Sequence, residues 1–510
     1  MYLGLDLGTS EVKALLLDGN GRIVGQGGAP LTVSRPHPLW SEQDPLDWRG
    51  AMDLAVAGLR GTHPEAFAQV RAIGLSGQMH GAVLLGEHDE VLRPAILWND
   101  GRSHAECAEL SERAPRLHAI AGNLAMPGFT APKLLWVRRH EPALFAKVRS
   151  VLLPKDWLRL VLSGEKVSDP SDAAGTLWLD VAARDWSDEL LAACGLTRAH
   201  MPRLVESTEV SCFLLPQIAE AWGLGPEVAI AGGGGDNAVS AIGIGATQPG
   251  DGFISLGTSG VLFVVNDRYR PNPASAVHAF CHALPGRWHQ MSVMLSAASC
   301  LKWFVQISGA TDESALLAEL DALPADALRD APLFLPYLAG ERTPHDNPFA
   351  KGGFLDLTHE HTRAHCTYAV LEGVAFGLCD GLAALQEAGT EVRQLHLVGG
   401  GARSPYWAQL LADALNVEIL VSAGSDAGGA LGAARLGWLA AGGDEASVCA
   451  KPDISARHVP DAARHARLAT RLRRFREMYR RIERPSRPPG GRLTTHPAPS
   501  AGASSNPVPW

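Results

Sequence analysis

A lone aspartate follows four consecutive glycines in Ala231-Gly232-Gly233-Gly234-Gly235-Asp236-Asn237. Glycines after a strand leave room for a ligand or a backbone to approach closely. An acid that opens a helix, here expected over 236–244, is ordinarily an N-cap. In a cleft it is instead a general base, the group that phosphoryl transfer to an alcohol requires to accept the hydroxyl proton. A second carboxylate, Asp6, stands just before the turn Gly8-Thr9-Ser10, and the same turn recurs at Gly257-Thr258-Ser259. Tight turns of small residues aim successive N–H groups at one point and make anion-binding nests. Two such turns facing one another would hold a polyphosphate. A carboxylate beside phosphates is repulsive unless a divalent cation bridges them, so Asp6 is the candidate ligand for Mg²⁺.

Two polar segments are suited to a polyhydroxy substrate. In Gly77-Gln78-Met79-His80-Gly81 the side chains of Gln78 and His80 are expected to bond hydroxyls while Met79 packs an apolar edge. In Leu97-Trp98-Asn99-Asp100-Gly101-Arg102, Trp98 is expected to stack on a sugar face, with Asp100 and Arg102 contacting hydroxyls or simply pairing with each other. A third segment, Val398-Gly399-Gly400-Gly401-Ala402-Arg403-Ser404, reads as a strand, a glycine turn and a helix start that would admit a nucleotide. It lacks the Gly-Lys-Ser/Thr of a P-loop and the spacing of a dinucleotide fingerprint. The groups His278/Cys281/His282 and His359/His361/His365 do not have complete ligand sets at structural-zinc spacing.

These residues need a scaffold. Strand patterns at 70–75, 228–231 and 394–398 alternate with helical patterns at 405–415 and 427–441, which is α/β organisation. Each Gly-Thr-Ser turn joins two apolar strands, so each reads as a hairpin opening one half of a duplicated chain. With 510 residues the chain exceeds a single ordinary core. The expected division is a first domain over 1–246 and a second over 247–482. The tail 483–510, rich in Pro, Ser, Gly and Ala, is expected to be disordered. Before it, Leu468, Leu472, Phe475, Tyr479 and Ile482 form one apolar helix stripe, crowded by arginines that read as a solvated face. A net charge of -9 gives no general attraction to nucleic acid or to anionic membrane. The longest apolar run noted, 228–246, is broken by Asp236 and Asn237, so no membrane span is expected. The 8 scattered cysteines, without a CxxC pair, suggest reduced thiols and a cytoplasmic protein.

Taken together the motifs resemble the carbohydrate kinase family named for its Phe-Gly-Gly-Tyr (FGGY) motifs, over about residues 1–482. Gly128-x-Thr130-x-x-Lys133-Leu134-x-Trp136-Val137-x-Arg139-His140 is similar to the family's first signature, and the stretch from Gly353 to Glu372 to its second. Trp40-Ser41-Glu42-Gln43-Asp44-Pro45, Gln78-Met79-His80-Gly81, Trp98-Asn99-Asp100-Gly101-Arg102 and Gly340-Glu341-Arg342-Thr343-Pro344-His345 resemble segments of the bacterial D-xylulose kinases within it. The resemblance implies two actin-like, ribonuclease-H-like domains with the active site in the cleft between them, and ATP and Mg²⁺ as cofactors. It implies Asp236 as base for a ketose hydroxyl, Asp6 as metal ligand, and Met79, His80 and Asp236 as the sugar pocket. Gly257, Thr258 and the Gly399-to-Ala402 turn would contact ATP, and the family implies a homodimer. Kinases of ribulose, gluconate or glycerol, a non-catalytic sugar or nucleotide sensor, and a chaperone or filament ATPase are the alternatives on such a fold. Three positions depart from the family pattern: Glu11 after Gly-Thr-Ser, Asp356 where glycine is usual, and the turn Asp426-Ala427-Gly428-Gly429-Ala430.

Overall fold

A computed structural model of the chain describes residues 1–422 and 428–483. The expected tail beyond Glu483, and the first part of the variant turn at 426–430, lie outside the described residues. Two seven-stranded sheets carry the structure. The first contains β1 (Tyr2–Leu7), β2 (Glu11–Leu17), β3 (Ile23–Pro30), β4 (Ala72–Gly77), β5 (Val210–Phe213), β6 (Ala229–Ala231) and β7 (Gly234–Gly235). Their order is β5-β6-β4-β1-β2-β3, with β7 also paired to β4. The second contains β8 (Asp251–Leu256), β9 (Gly260–Asn266), β10 (His278–Cys281), β11 (Trp288–Met294), β12 (Gln394–Val398), β13 (Glu418–Ser422) and β14 (Ile454–His458). Their order is β10-β11-β9-β8-β12-β13-β14.

The echo of Gly-Thr-Ser is therefore a repeat of topology. β1 pairs antiparallel with β2 and parallel with β4, just as β8 pairs antiparallel with β9 and parallel with β12. Each Gly-Thr-Ser turn joins the antiparallel pair, as expected. The inner strands are apolar and fully covered, as strands with helices on both faces must be: Leu3, Leu5, Leu15, Ile73, Ile254 and Leu262 are all buried.

Helices α1 (Pro45–Thr62), α2 (Thr130–His140), α3 (Pro154–Ser163) and α4 (Asp236–Gly243) belong to the first half. Helices α5 (Arg363–Glu387), α6 (Pro405–Leu415), α7 (Gly428–Ala440) and α8 (Ala462–Glu483) follow in the second. Helix α6 starts at the expected place, with the Ser404 hydroxyl accepting from the Trp407 N–H. Helix α5 is an apolar run longer than the one noted at 228–246. It is the one described helix long and apolar enough to cross a membrane, and it is buried in the core of the second half. Helix α8 buries Leu468, Phe475 and Tyr479 and leaves Ile482 half-exposed. Its arginines are largely matched by acids: Arg464 by Asp413, Arg471 by Glu372, Arg474 by Asp356 and Arg476 by Asp380.

Helix α7 departs from chain order. It lies in the second half of the sequence but packs on β1, β4 and α4 of the first. The approach is backbone to backbone: a Cβ on Gly4 would stand 2.0 Å from the Ala430 carbonyl oxygen, and one on Gly74 only 1.8 Å from that of Ala433. Glycine is the residue that permits this contact. The strands of the first sheet all lie before residue 246 and those of the second all after it, while α7 crosses to the first.

Candidate active site

The carboxyl ends of parallel strands converge at the cleft, where ligands of open α/β sheets bind. Asp6 is in register with Ser76, and Gly235 with Gly77, so β1, β4 and β7 carry Asp6 and Asp236 to the same end of one sheet. Asp236 is the first residue of α4, and the cap position is taken by Gly235. Its Oδ1 accepts from the Asn237 N–H at 2.7 Å and the Asn237 amide at 3.0 Å. Asp236 is thus not spent on capping α4 in the usual way, through the N–H two or three residues on. Burial, then the charge of Asp6, push its carboxyl up to about 7 against the pull of the Asn237 bonds. Burial also raises Asp6, and nearby Ser76 and Lys13 oppose the rise. The first turn of α7 closes over Asp6, where a Cβ on Gly429 would fall 2.4 Å from Oδ2. Among the described residues neither carboxylate is in an ion pair. Two neighbouring acids without a basic partner are a donor set that suits Mg²⁺, which takes one or two carboxylates and completes its shell with substrate oxygens and water.

Met79 packs on this end of the sheet. A Cβ on Gly235 would stand 2.9 Å from its Cγ and Sδ. His80 follows with φ 69°, a left-handed conformation that costs a non-glycine residue roughly 1–3 kcal/mol. Three bonds hold it there. Lys133 Nζ donates to the His80 carbonyl at 2.8 Å, Thr130 Oγ1 donates to the same oxygen at 3.1 Å, and the ring Nδ1 meets the Gly175 carbonyl at 2.7 Å. A carbonyl only accepts, so Nδ1 carries the proton and Nε2 is left as an acceptor. Burial lowers the imidazole to about 3, which keeps it neutral. Burial likewise pushes Lys133 well down. Thr130 and Lys133 of the signature segment thus act on the backbone of His80.

Three expected sugar contacts are corrected. The Gln78 amide is consumed inside the protein: Nε2 donates to Gln43 Oε1 at 3.0 Å, and Oε1 accepts from Thr9 Oγ1 at 3.1 Å. Gln43 in turn donates to the Thr9 carbonyl at 2.8 Å. Gln78 therefore steers the Gly8-Thr9-Ser10 turn instead of a hydroxyl. Asp100 and Arg102 are buried and pair with each other at 2.7 Å. Asp100 also accepts from the Ser41 N–H, and Arg102 bonds Glu42 and lies 3.6 Å above the Trp40 ring. The polar-loop reading describes both. Trp98 does reach the cleft, half-exposed, with Nε1 donating to Thr9 Oγ1 at 3.0 Å.

On the facing sheet Ser255 is in register with Val398, which brings the Gly257-Thr258 turn and the Gly399-to-Ala402 turn to one end. Gly399 has φ 89°, and Gly401 packs on Leu256. Gly400 has open space above it, and Gly257 nearly so, as a surface for a flat base or a phosphate requires. Thr258 is fixed through its carbonyl, which accepts from the Ala297 N–H and from Ser299 Oγ.

Two of the departures have local explanations. Glu11 lies over the backbone of Gly28, where a Cβ would meet its carboxylate at 2.2 Å, and it faces Lys13 at 3.9 Å. Asp356 has φ 64°, which explains glycine as the usual residue, and Asp is among the few others that tolerate it. The histidine groups are used structurally. His365 forms a capping box at the start of α5, and His361 bonds the Asp330 carbonyl at 2.9 Å. Among the described residues no group of three His, Cys, Asp or Glu is arranged to hold a metal.

Sequence reasoning missed a buried cluster behind the site. Lys155 Nζ lies 2.6, 2.9 and 3.1 Å from Asp156, Asp169 and Asp172. Asp169 accepts from Ser171 Oγ, and that hydroxyl accepts from the Gly235 N–H at 3.2 Å. The residue before Asp236 is thereby tied to the cluster. In the sequence these four are interspersed with Arg159, Glu165 and Lys166, so no local pattern sets them apart.

Known proteins are similar in sequence and fold over nearly the whole chain. The N-terminal domain model of the FGGY family of carbohydrate kinases matches residues 1–243, and the C-terminal domain model matches residues 252–441. The xylulose kinase of Escherichia coli is 51% identical over 484 residues, covering 94% of this chain and 99% of that protein. The xylulose kinase of Klebsiella pneumoniae is 51% identical, covering 95% and 99%. The crystal structure of a xylulose kinase from Rhodospirillum rubrum superposes with a TM-score of 0.86 at 30% identity, covering 95% of this chain and 99% of that one.

Proposed function

The chain belongs to the FGGY family of carbohydrate kinases, and from that premise we propose that it phosphorylates D-xylulose to D-xylulose 5-phosphate with Mg²⁺-ATP as donor. The observation that carries the proposal is the placement of the Asp236 carboxyl beside Met79 at the strand end that also carries Asp6, where burial and then Asp6 push it up to about 7. A base poised near neutral pH combines proton affinity with a large deprotonated fraction. The two relatives at 51% identity, both xylulose kinases, support the choice of ketose.

In this reading Asp236 takes the proton of the sugar's terminal hydroxyl. The freed oxygen forms a bond to the γ-phosphorus as the bond from that phosphorus to the β–γ bridging oxygen breaks, and ADP leaves. The proton on Asp236 then passes to solvent. Asp6 would hold Mg²⁺, whose chemistry is to offset the negative charge on the phosphoryl oxygens. His80 Nε2 accepts from a sugar hydroxyl, Met79 lines an apolar edge and Trp98 covers a face. Gly8, Thr9 and Ser10 face the phosphates from the first sheet. Gly257, Thr258, Gly400, Gly401 and Ala402 receive the nucleotide from the second. Residues 1–246 thus supply the base and the His80 side of the sugar pocket, and 247–482 receive the nucleotide. Exclusion of water by closure of the cleft favours the sugar over hydrolysis of ATP.

A coupled ADP-release assay against D-xylulose, D-ribulose, L-ribulose, gluconate and glycerol tests the reading. Strong turnover with D-xylulose is expected. Turnover confined to another sugar would keep the mechanism and overturn the substrate.

A further inference from the structure

Arg342 stands on a loop of the second half that is held firmly. The backbones of Glu341 and Asn347 exchange hydrogen bonds at 2.9 and 2.8 Å. The Glu341 carboxylate accepts from the Leu295 N–H at 3.0 Å and from the Arg342 N–H at 2.7 Å, while Thr343 Oγ1 donates to the Ala276 carbonyl at 2.9 Å. From this base the Arg342 guanidinium reaches toward the pocket of His80 in the first half. It contacts His278 Nε2 at 3.4 Å. The His278 ring lies 5.6 Å from that of Phe129, which lies 4.7 Å from the His80 ring.

The contact with His278 is oriented. Asn123 donates its amide N–H groups to the carbonyls of Ala121 and Ala279, so its Oδ1 accepts from His278 Nδ1 at 3.1 Å. That leaves Nε2 of a neutral ring facing Arg342 as an acceptor. Burial lowers His278 well below its ordinary range, and Arg342 adds to the effect on His278 and on His80. Burial lowers Arg342 itself.

Glu341 and Asp346 oppose that effect through their charge, but what Arg342 lacks is a carboxylate in direct contact. Four other covered arginines have one: Arg93 and Arg102 bond Glu42, Arg184 bonds Glu206 and Arg471 bonds Glu372. The buried Arg159 and Arg435 are instead satisfied by backbone carbonyls, which Arg342 lacks too among the described residues. Among the described residues no carboxylate pairs with Arg342. The guanidinium is partly buried, and most of its donors are not taken by the protein, so they are open to the oxygens of a ligand.

The order of residues across the pocket fixes which oxygens. The groups that shift Asp236 are Asp6 and Asn237. Met79 lies between Gly235 and Gly175, the Gly175 carbonyl receives the His80 ring, and Arg342 lies beyond. With the terminal hydroxyl at Asp236, the opposite end of a five-carbon ketose carries the carbonyl and its neighbouring hydroxyl. We propose that Arg342 is the second half's contribution to the sugar pocket, donating its planar fork to these oxygens and selecting a ketose over the corresponding pentitol. This assignment rests on the D-xylulose reading.

The test compares wild type, Arg342→Met and Arg342→Lys with D-xylulose as substrate and D-arabinitol as alternative substrate or competitive inhibitor. Loss of hydrogen bonds from a charged donor is expected to raise the D-xylulose KM of Arg342→Met about tenfold or more. The KM for ATP and kcat should stay within about threefold, and the preference for ketose over pentitol should narrow. An unchanged sugar KM, or equal loss for ketose and pentitol, overturns the proposal. If Arg342→Met does not fold, Arg342→Lys decides in the same way, since it keeps the charge and loses the fork. Wild-type protein that fails on D-xylulose in this assay would overturn the substrate reading separately.

Discussion

Lys133 donates from Nζ to the backbone carbonyl of His80 at 2.8 Å, although the two residues are 53 positions apart. The bond reaches a residue held at φ 69° and is reinforced by Thr130 on the same oxygen. It links a helix of the signature segment to the imidazole that presents Nε2 to the pocket.

Replacing Lys133 with Met removes that anchor while keeping the apolar stem. The expected result is a D-xylulose KM raised several-fold, with the KM for ATP unchanged, because a hydrogen bond contributes about 0.5–1.5 kcal/mol net. Steady-state kinetics with each substrate varied in turn checks it. A variant with wild-type sugar KM would mean that His80 keeps its conformation without Lys133.

The base must be deprotonated to act, so kcat/KM for the sugar is expected to rise with pH and level off above a midpoint near 7, the value set by burial and by Asp6. The same shift has a sign for stability. The folded-state pKa of Asp236 is raised, so the native protein retains this proton where the unfolded chain has lost it. Its contribution is most favourable at low pH and declines as pH rises from about 4 to about 7. Asp236→Asn should therefore raise Tm by a few degrees at pH 8 and leave it nearly unchanged at pH 4. Equal Tm differences at both pH values would contradict the shift.

Glu11 lies along β3 over Gly28 instead of extending into the cleft. Glu11→Gly is expected to leave the KM for ATP equal or lower, since one negative charge near the triphosphate is removed. Measured KM for ATP rising about tenfold would show that Glu11 takes part in binding.

At Asp356 the constraint is the backbone. Asp356→Gly should retain the fold with a stability change of about 1 kcal/mol or less, because its pair with Arg474 is exposed. Asp356→Val, β-branched at positive φ, should lose about 1–3 kcal/mol in denaturant unfolding.

Much of the scaffold was legible because its signals are local. The two Gly-Thr-Ser hairpins, the strand at 394–398 and helix α6 with its Ser404 cap follow from apolar runs and turn chemistry. The placement of α7 was not legible, because its glycine contacts with Gly4 and Gly74 join residues hundreds of positions apart. The candidate site divides in the same way. Asp6, Asp236, Met79 and His80 could be singled out by type and spacing. Gln78, Asp100 and Arg102 looked like sugar ligands because their types suit hydroxyls, and only tertiary structure brings Gln43, Glu42 and Ser41 to consume them. The bonds of Lys133 and the open donors of Arg342 are equally long-range.

The most direct test of the account is ADP release with D-xylulose and Mg²⁺-ATP by wild type and by Asp236→Asn, with sugar binding followed in parallel. Wild type should release ADP only when the sugar is present, in step with sugar phosphate. The variant should bind the sugar and lose at least about a hundredfold in kcat. Turnover by Asp236→Asn at the wild-type rate would show that Asp236 is not the base.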